Sequence, residues 1–587
     1  MCLDRGHSYC ELFISKSTDQ QTIQASTMQN ESEQRLILAL VTTGGFTHAA
    51  PVLDVCQVWA KRGHTVDFAT LDGQENWVNN YPFIRRVHSL GPGPTEEQYR
   101  EHWNRMLRHD AKKGLGSEMW ESKYLLDSVF PVTYKGLRKV CVNPETRPSF
   151  IIADFFAELA AKDMMTELGI PIAIMWPQMP FLLAPASYIP GQPGFQAVIS
   201  TTSEHASLMS RLKNELVMVC AIPSFLVWLR WLTALRKKAG VRYPSPIQLT
   251  ASSRPVCLVL VNSFFGLETP KDLPPLMSPV GPILADEFLT LDQPHGFFLD
   301  SHDRTAYVAL GTHINLTQDI FDKLFGGLVQ ALSLGHIDGV IWSLPALTRE
   351  NLYREQQLEV DGELFSLGDL LDNKASSVFF PTYSPQRAVL DHKNTGIFVT
   401  HAGGSSANEV AYHGKPALMI PFMFDQLCNA VRLEEAGIGL RLDKFDFTQE
   451  EVTSKIALIA EDEGDTFARN VLRLRRIARV AARRKHLAAD LVEEVLYDDE
   501  LRRGNKRGLA SRPMHLETAD VRLSWFKKTN WDLYLFTFGT FIGLPLASAY
   551  GIYRFIKGTG MREFMGLLPR VLLRGRDSIS SVIFQKW

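Results

Sequence analysis

Cysteine is too thinly spread in this sequence to organise it. Cys2, Cys10, Cys56, Cys141, Cys220, Cys257 and Cys428 stand far apart, with no CxxC pair and no Cys/His cluster. That spacing excludes a patterned metal site and a disulfide scaffold, and a reducing compartment fits it. Excess charge is also missing: 62 Lys and Arg face 64 Asp and Glu, a formal net charge of −2. Such a balance gives no reason to expect nucleic acid as a partner. The N-terminus (MCLDRGHSYCELFISKSTDQ) lacks the long apolar core of a secretory signal. The bulk of the chain is therefore expected not to be exported. With 45% hydrophobic and 21% charged residues, disorder throughout is excluded.

What is present is length and a recurring α/β grammar. A chain of 587 residues exceeds the usual size of a single core, so two core-bearing domains with extensions are expected. Residues 1–34 are polar and expected to be disordered. The apolar run 36–41 (LILALV), bounded by Thr42-Thr43-Gly44-Gly45, reads as a buried parallel strand. Val52, Val55, Cys56 and Trp59 then repeat at helical spacing, Gly63 closes the helix, and 64–70 (HTVDFAT) is the next strand. Strand, helix and strand in this order form a βαβ unit. The grammar returns at 150–153, 170–175, 256–261, 306–310, 340–342, 396–400 and 417–421.

The fold class expected is therefore α/β, with two doubly wound domains facing a cleft and ligands bound at the carboxyl ends of the strands. The first domain is placed at 35–270, the second at 301–465, and helices at 466–500, basic in their first half. The Pro/Gly-rich stretch 268–284 (ETPKDLPPLMSPVGPIL) reads as an interdomain linker, extended to 271–300. A basic linker (501–529), a transmembrane helix (530–556) and a basic tail (557–587) complete the chain. Within that helix, 533–553 runs twenty-one residues without a charge, flanked by aromatics and by Lys527, Lys528, Arg554 and Lys557. That is long enough to cross a bilayer. The apolar segment 216–235 is interrupted by Pro223 and Arg230 and is too short for a second span. An acceptor-lining wall, a surface dipping into a membrane and plain core packing all fit it.

Chemistry concentrates at 383–442. After the strand 396–400 come His401, the small-residue turn Ala402-Gly403-Gly404-Ser405-Ser406 and a helix. Glycines admit an anion to the backbone, the helix N-terminus offers unpaired N–H groups, and His401 and the serines add side-chain donors. This is a pyrophosphate cradle. Glu409 lies one turn further on, where it can accept from a ribose diol, and Asp425-Gln426 follows the next strand, where it can read sugar hydroxyls.

Taken together, Tyr383-x-Pro385-Gln386, His401-x-Gly403…Ser406-x-x-Glu409 and Asp425-Gln426-x-x-Asn429-Ala430 resemble the signature of the UDP-dependent glycosyltransferases. The resemblance covers roughly 35–495. It implies a GT-B fold, with the donor in the second domain. By the same resemblance Tyr383 stacks on uracil and Gln386 lies beside the uridine. His401, Gly403, Ser405 and Ser406 hold the phosphates, Glu409 the ribose, and Asp425 with Gln426 the sugar. The turn Ala309-Leu310-Gly311-Thr312 matches the family's phosphate-side loop, with Gly311 and Thr312 as donor contacts. Tyr383 stands where the family usually has Trp, which keeps a π surface of smaller area. Ser405 replaces an Asn common in plant members. Both changes leave the sugar open.

Transfer to an alcohol needs a base, and histidine titrates near working pH. His48 follows the first strand and Asp154 ends the strand 150–153, so both project from one sheet edge. On their own, helix capping explains either residue as well. The resemblance selects catalysis, because His48-Ala49-Ala50-Pro51 with Arg62-Gly63-His64 matches the family's opening, with the histidine as base. His64 begins a strand and reads as structural. The implied reaction is displacement with inversion, passing a hexose (glucose expected) from a UDP-sugar to a small lipophilic alcohol of terpenoid, polyketide, phenolic or sterol type. No metal and no cofactor beyond the UDP-sugar are expected. The apolar stretch 175–183 and, as one of its open readings, the segment 216–235 can line an acceptor site. The catalytic part is expected to face the cytosol, held at a membrane by the C-terminal segment. A nucleotide-sugar epimerase or hydrolase on the same fold, or an inactive UDP-sugar-binding tether, are the alternative readings.

Overall fold

The computed structural model describes residues 34–110, 117–179, 207–244, 255–268, 270, 272–311, 314–503 and 513–559. The expected disordered extension and the basic tail lie outside the described residues. The chain divides into two compact units, residues 1–516 and 517–587.

The first unit is built on two all-parallel sheets. One has seven strands: β1 (Leu36–Leu40), β2 (Thr65–Thr70), β3 (Ile84–Ser89), β4 (Phe150–Asp154), β5 (Ile172–Trp176), β6 (Leu258–Val261) and β7 (Met277–Pro279). Their order is β3-β2-β1-β4-β5-β6-β7. β8 (Thr305–Ala309) and β9 (Gly339–Trp342) open the other sheet, and β10 (Gln357–Val360) and β11 (Glu363–Ser366) form a separate hairpin. β12 (Val378–Phe379), β13 (Thr395–Thr400), β14 (Ala417–Met419) and β15 (Gly439–Arg441) complete it in the order β12-β9-β8-β13-β14-β15. The central strands β1 and β4 are buried almost throughout, which is why they read as continuous apolar runs.

Each sheet has one place where the chain reverses direction across it. In the first sheet β1 pairs with β2 on one side and β4 on the other. In the second, β8 pairs with β9 and β13. The loops leaving β1 and β4 diverge there, as do those leaving β8 and β13, and each opens a crevice.

Helices cover both faces. The Phe46–Lys61 helix packs its Val52, Val55, Cys56 and Trp59 face on the first sheet. The helices Phe130–Val142 and Glu158–Leu168 cover the opposite face. The helix Thr466–Ala481 packs in the core of the second half through Val471, Leu474 and Ala478. The next helix, Lys485–Arg503, returns to the first half, where Ala488, Ala489, Val492 and Leu496 enter its core. Trp59 donates its Nε1–H to the carbonyl of Ala489 at 3.1 Å, and Arg62 pairs with Asp490 and Glu493, both at 2.6 Å.

The stretch expected as a linker is more ordered than its composition suggests. It carries β7, whose proline is tolerated because this strand lies at the sheet edge. It also holds Glu268, buried, which accepts from the Met179 N–H at 3.1 Å and from Arg432 at 3.2 Å. The segment 216–235 belongs to one helix, Leu208–Ala239. Against the expectation of too short a run, its Val219–Ala239 stretch of 21 residues and mean hydropathy 1.3 is long and apolar enough to cross a membrane by length and composition. Core packing applies to the last third of the helix alone: Trp228, Leu232, Arg236 and Ala239 are buried, while Leu216, Val219, Ile222 and Val227 are exposed.

In the second unit, Trp531–Lys557 is a 27-residue helical span of mean hydropathy 1.4 with exposed side chains. It widens to a π-turn at Gly539–Gly543, immediately before Pro545, which lacks the N–H and crowds the carbonyl four residues back.

Candidate active site

His48 lies in the first turn of the Phe46–Lys61 helix. The Gly44-Gly45 turn feeding it has φ of +88° and +78°, open to glycine at little cost. A Cβ on Gly44 would also fall 2.5 Å from the His48 ring and 2.8 Å from Phe156. The space beside His48 thus exists because position 44 has no side chain. His48 Nδ1 meets Asp154 Oδ1 at 2.8 Å, and the ring packs on Phe156 at 4.8 Å between centroids. Asp154 is buried at the end of β4, and its other oxygen accepts the Phe156 N–H at 2.9 Å. The capping and orienting roles left open by the sequence are therefore both filled by one carboxylate. With the Nδ1 hydrogen assigned to the Asp154 bond, Nε2 carries the lone pair.

Burial opposes the His48 cation, but the charge and hydrogen bond of Asp154, with a further contribution from Asp425, outweigh it. The His48 pKa is raised above the ordinary 6.5. Asp425 belongs to the second half, at the start of the Asp425–Glu435 helix. Burial pushes its carboxyl up, and His48 among others holds it back. The base from one sheet and the carboxylate from the other thus face each other across the cleft.

Asp425 lies at the N-terminus of the Gly404–His413 helix and accepts the Gly404 N–H. Asn429 Nδ2 bonds both Asp425 Oδ2 and the Ala402 carbonyl, each at 3.0 Å. It thereby braces Ala402, whose φ of +60° is unusual for a residue with a side chain. His401 is packed between two glycines: a Cβ on Gly311 or Gly403 would lie 2.8 or 2.5 Å from its Nε2. The turns leaving β8 and β13 therefore close on one imidazole. Thr312 lies outside the described residues.

Gln386, Ser406 and Glu409 also come together, with Gln386 Nε2 donating to Glu409 Oε2 at 2.6 Å and reaching Ser406 Oγ at 3.4 Å. Burial raises the Glu409 carboxyl, partly offset by Gln386 and Arg387. Ser405, in the first turn of the same helix, is half-buried. Tyr383 is 67% exposed, a free aromatic face on the loop before Gln386. Gln426 is buried beside Asp425. Its Oε1 accepts the N–H groups of Phe422 (2.9 Å) and Met423 (3.1 Å), so the side chain braces a loop and leaves its amide N–H₂ for a ligand.

The residues anchoring the Tyr383 loop were not legible as site residues. Ser384 is buried and bonded to His295 Nε2 at 2.9 Å and to the Tyr307 hydroxyl, and His295 is held by Asp292 at 2.5 Å. The one sequence signal was the Asp292-x-x-His295 spacing at a helix start, which announces capping. His64 contacts the Arg35 N–H and Glu493, away from this site.

With this geometry in hand, likeness to known proteins decides the family. The model of the UDP-glucoronosyl and UDP-glucosyl transferase family matches residues 146–482. A UDP-glycosyltransferase of Fusarium mangiferae, FPY2, is 41% identical over 531 residues, covering 86% of this chain and 95% of the relative. The chain belongs to the UDP-glycosyltransferase family. A second such enzyme, stmC of Aspergillus ustus, is 41% identical over 530 residues, covering 88% of this chain and 96% of that one. Among solved structures, the glycotransferase of kitacinnamycin superposes with a TM-score of 0.54 at 18% identity, covering 78% of this chain and 98% of that chain. The fold of this UDP-glycosyltransferase is accordingly GT-B, its two parallel sheets being the two Rossmann-like halves. Its donor is a UDP-sugar and its second substrate a glycosyl acceptor.

Proposed function

We propose that this UDP-glycosyltransferase passes a hexose, glucose being the expected one, to a hydroxyl of a small lipophilic acceptor with inversion at the anomeric carbon. The observation that carries the reading is the His48–Asp154 pair at 2.8 Å, set opposite Asp425 across the cleft. His48 Nε2 takes the acceptor proton, and Asp154 stabilises the imidazolium that forms. The freed oxygen attacks the anomeric carbon as its bond to the UDP oxygen breaks. The Gly403–Ser406 turn, with His401, is proposed to receive the charge on the departing diphosphate. Tyr383 is proposed to stack on uracil, Gln386 and Glu409 to hold the ribose side, and Asp425 to bind the sugar. No metal and no cofactor beyond the UDP-sugar takes part in this reading.

The lipophilic acceptor is supported by what surrounds His48. Phe155, Phe156 and Trp176 form a ring cluster, with centroids 4.2 and 4.9 Å apart. Behind Phe156, Leu126, Val129, Phe130 and Leu159 pack with Thr42, Asp127 and Thr133 around a small cavity of about 10 Å³. Trp228, on the Leu208–Ala239 helix, reaches its edge by bonding Asp127 at 3.0 Å. Met179 is packed in core with Val259, Val261 and Met277 instead, and residues 180–183 lie outside the described residues.

The C-terminal Trp531–Lys557 helix is proposed to anchor the protein in a membrane, with the catalytic halves facing the cytosol. An N-glycosylated, lumenal catalytic part would overturn that orientation. The reaction is tested by UDP release from UDP-glucose with a panel of apolar alcohols, beside His48→Ala. Acceptor-dependent release that falls at least ~100-fold in the variant is expected. Release indifferent to acceptor points to a hydrolase or epimerase, and UDP binding without turnover to an inactive tether.

A further inference from the structure

Asp425 follows a residue held in a conformation that side chains avoid. Phe424 has φ of +51° and ψ of −129°, a region open almost only to glycine. Such a conformation persists where surrounding structure over-determines it, so the question is what holds Phe424 there.

The answer lies partly in the opposite half of the cleft. The helix Glu96–Arg108 leaves the first half after β3, yet its Met106 is buried in the core of the second half, with Trp103 and Leu107 packed alongside. Trp103 meets the Phe424 ring edge to face, with centroids 6.0 Å apart, and His102 stacks on it at 6.5 Å. Lys444, just past β15, joins the same pieces. Its ammonium donates to the Phe422 carbonyl at 2.7 Å and, across the cleft, to the carbonyls of Leu107 at 2.8 Å and Met106 at 3.4 Å. A single ammonium has three hydrogens, and all three find backbone oxygen at the two ends of this junction.

We propose that Lys444, with Trp103, is a positioning device for the donor sugar: it ties the loop at 422–424 to the first half and thereby sets Asp425. Lys444 touches no reacting atom. It acts through a loop whose N–H groups at 422 and 423 are held by Gln426 and whose carbonyl at 422 it holds itself. Sugar binding then depends on the helix Glu96–Arg108 being docked, which links the acceptor-side half to donor selection. The inference rests on the reading of Asp425 as a sugar contact.

Calorimetric binding separates the two. Lys444→Met keeps the stem and removes the three hydrogen bonds. Expected is a loss of roughly tenfold or more in UDP-glucose affinity, with UDP alone unchanged within about twofold. In an Asp425→Asn background the same substitution is expected to add almost nothing, because the contact it sets is already gone. Equal losses for UDP and UDP-glucose, or full additivity with Asp425→Asn, overturn the proposal. If Lys444→Met does not fold, Phe424→Gly is used: glycine takes this backbone without strain and loses the ring contact. The same selective loss of UDP-glucose binding is expected, and unchanged binding overturns the proposal. Asp425→Asn alone serves as control, since no selective loss of UDP-glucose there defeats the sugar-contact reading itself.

Discussion

Asp154 shows how one side chain serves fold and chemistry at once. One oxygen caps the turn at Phe156 and the other holds His48, so the carboxylate that starts a helix also fixes the tautomer of the base. A pH dependence follows from this pair. A base must be neutral to accept a proton, and the His48 pKa is raised, so the acid limb of kcat/KM should lie above that of ordinary histidine. In Asp154→Asn the main influence raising it is removed while burial still lowers it. The limb should move to lower pH as the plateau falls, by on the order of 10²–10⁴-fold. A pH–rate profile checks it, and a limb that stays in place would show that another group titrates. The strand-end positions of His48 and Asp154 were legible in the recurring pattern, whereas their roles as base and partner came only from the family resemblance. His295 and Lys444 were not legible, since their partners lie 89 and more than 300 residues away, and no local spacing announces such contacts.

At the scale of elements, apolar periodicity gave the strands and helices, whereas the charged residues that lock helices together were silent in the sequence. Arg236, near the end of the Leu208–Ala239 helix, is buried with Asp163 of the Glu158–Leu168 helix, its Nε 3.2 Å from Asp163 Oδ2. It also donates to the Pro244 carbonyl at 3.3 Å. Arg236→Met should cost about 3–5 kcal/mol at neutral pH, because it leaves a carboxylate buried without its cation. Burial already raises Asp163 against the pull of Arg236. The penalty should therefore shrink as pH falls through that raised value and the lone carboxyl takes a proton. Urea denaturation at neutral and mildly acid pH measures both. The stretch read as a linker at 268–284 carries an edge strand that its composition did not announce. Proline and glycine counts identify flexible chain, but they also suit an edge strand, and only pairing with β6 tells the two apart.

For the whole molecule, the two-sheet architecture was readable because each βαβ unit carries its own periodicity, and the placing of the site followed from where each sheet reverses. The division at Leu516 adds a prediction. A chain ending there should keep acceptor-dependent UDP release with water-soluble acceptors and move from the membrane to the soluble fraction on centrifugation. Continued sedimentation with membranes would assign attachment to the first unit, where the exposed apolar stripe of the Leu208–Ala239 helix is the place to look. What no reading of composition revealed is that the helix Lys485–Arg503 closes the core begun at β1. A ribosome emits roughly 5–20 residues per second, so the newborn first half waits tens of seconds for the piece that seals its sheet. During that interval its apolar face stays open to chaperones. A gene split between the two sheets would leave that half unfinished unless the late helix were stitched back onto it.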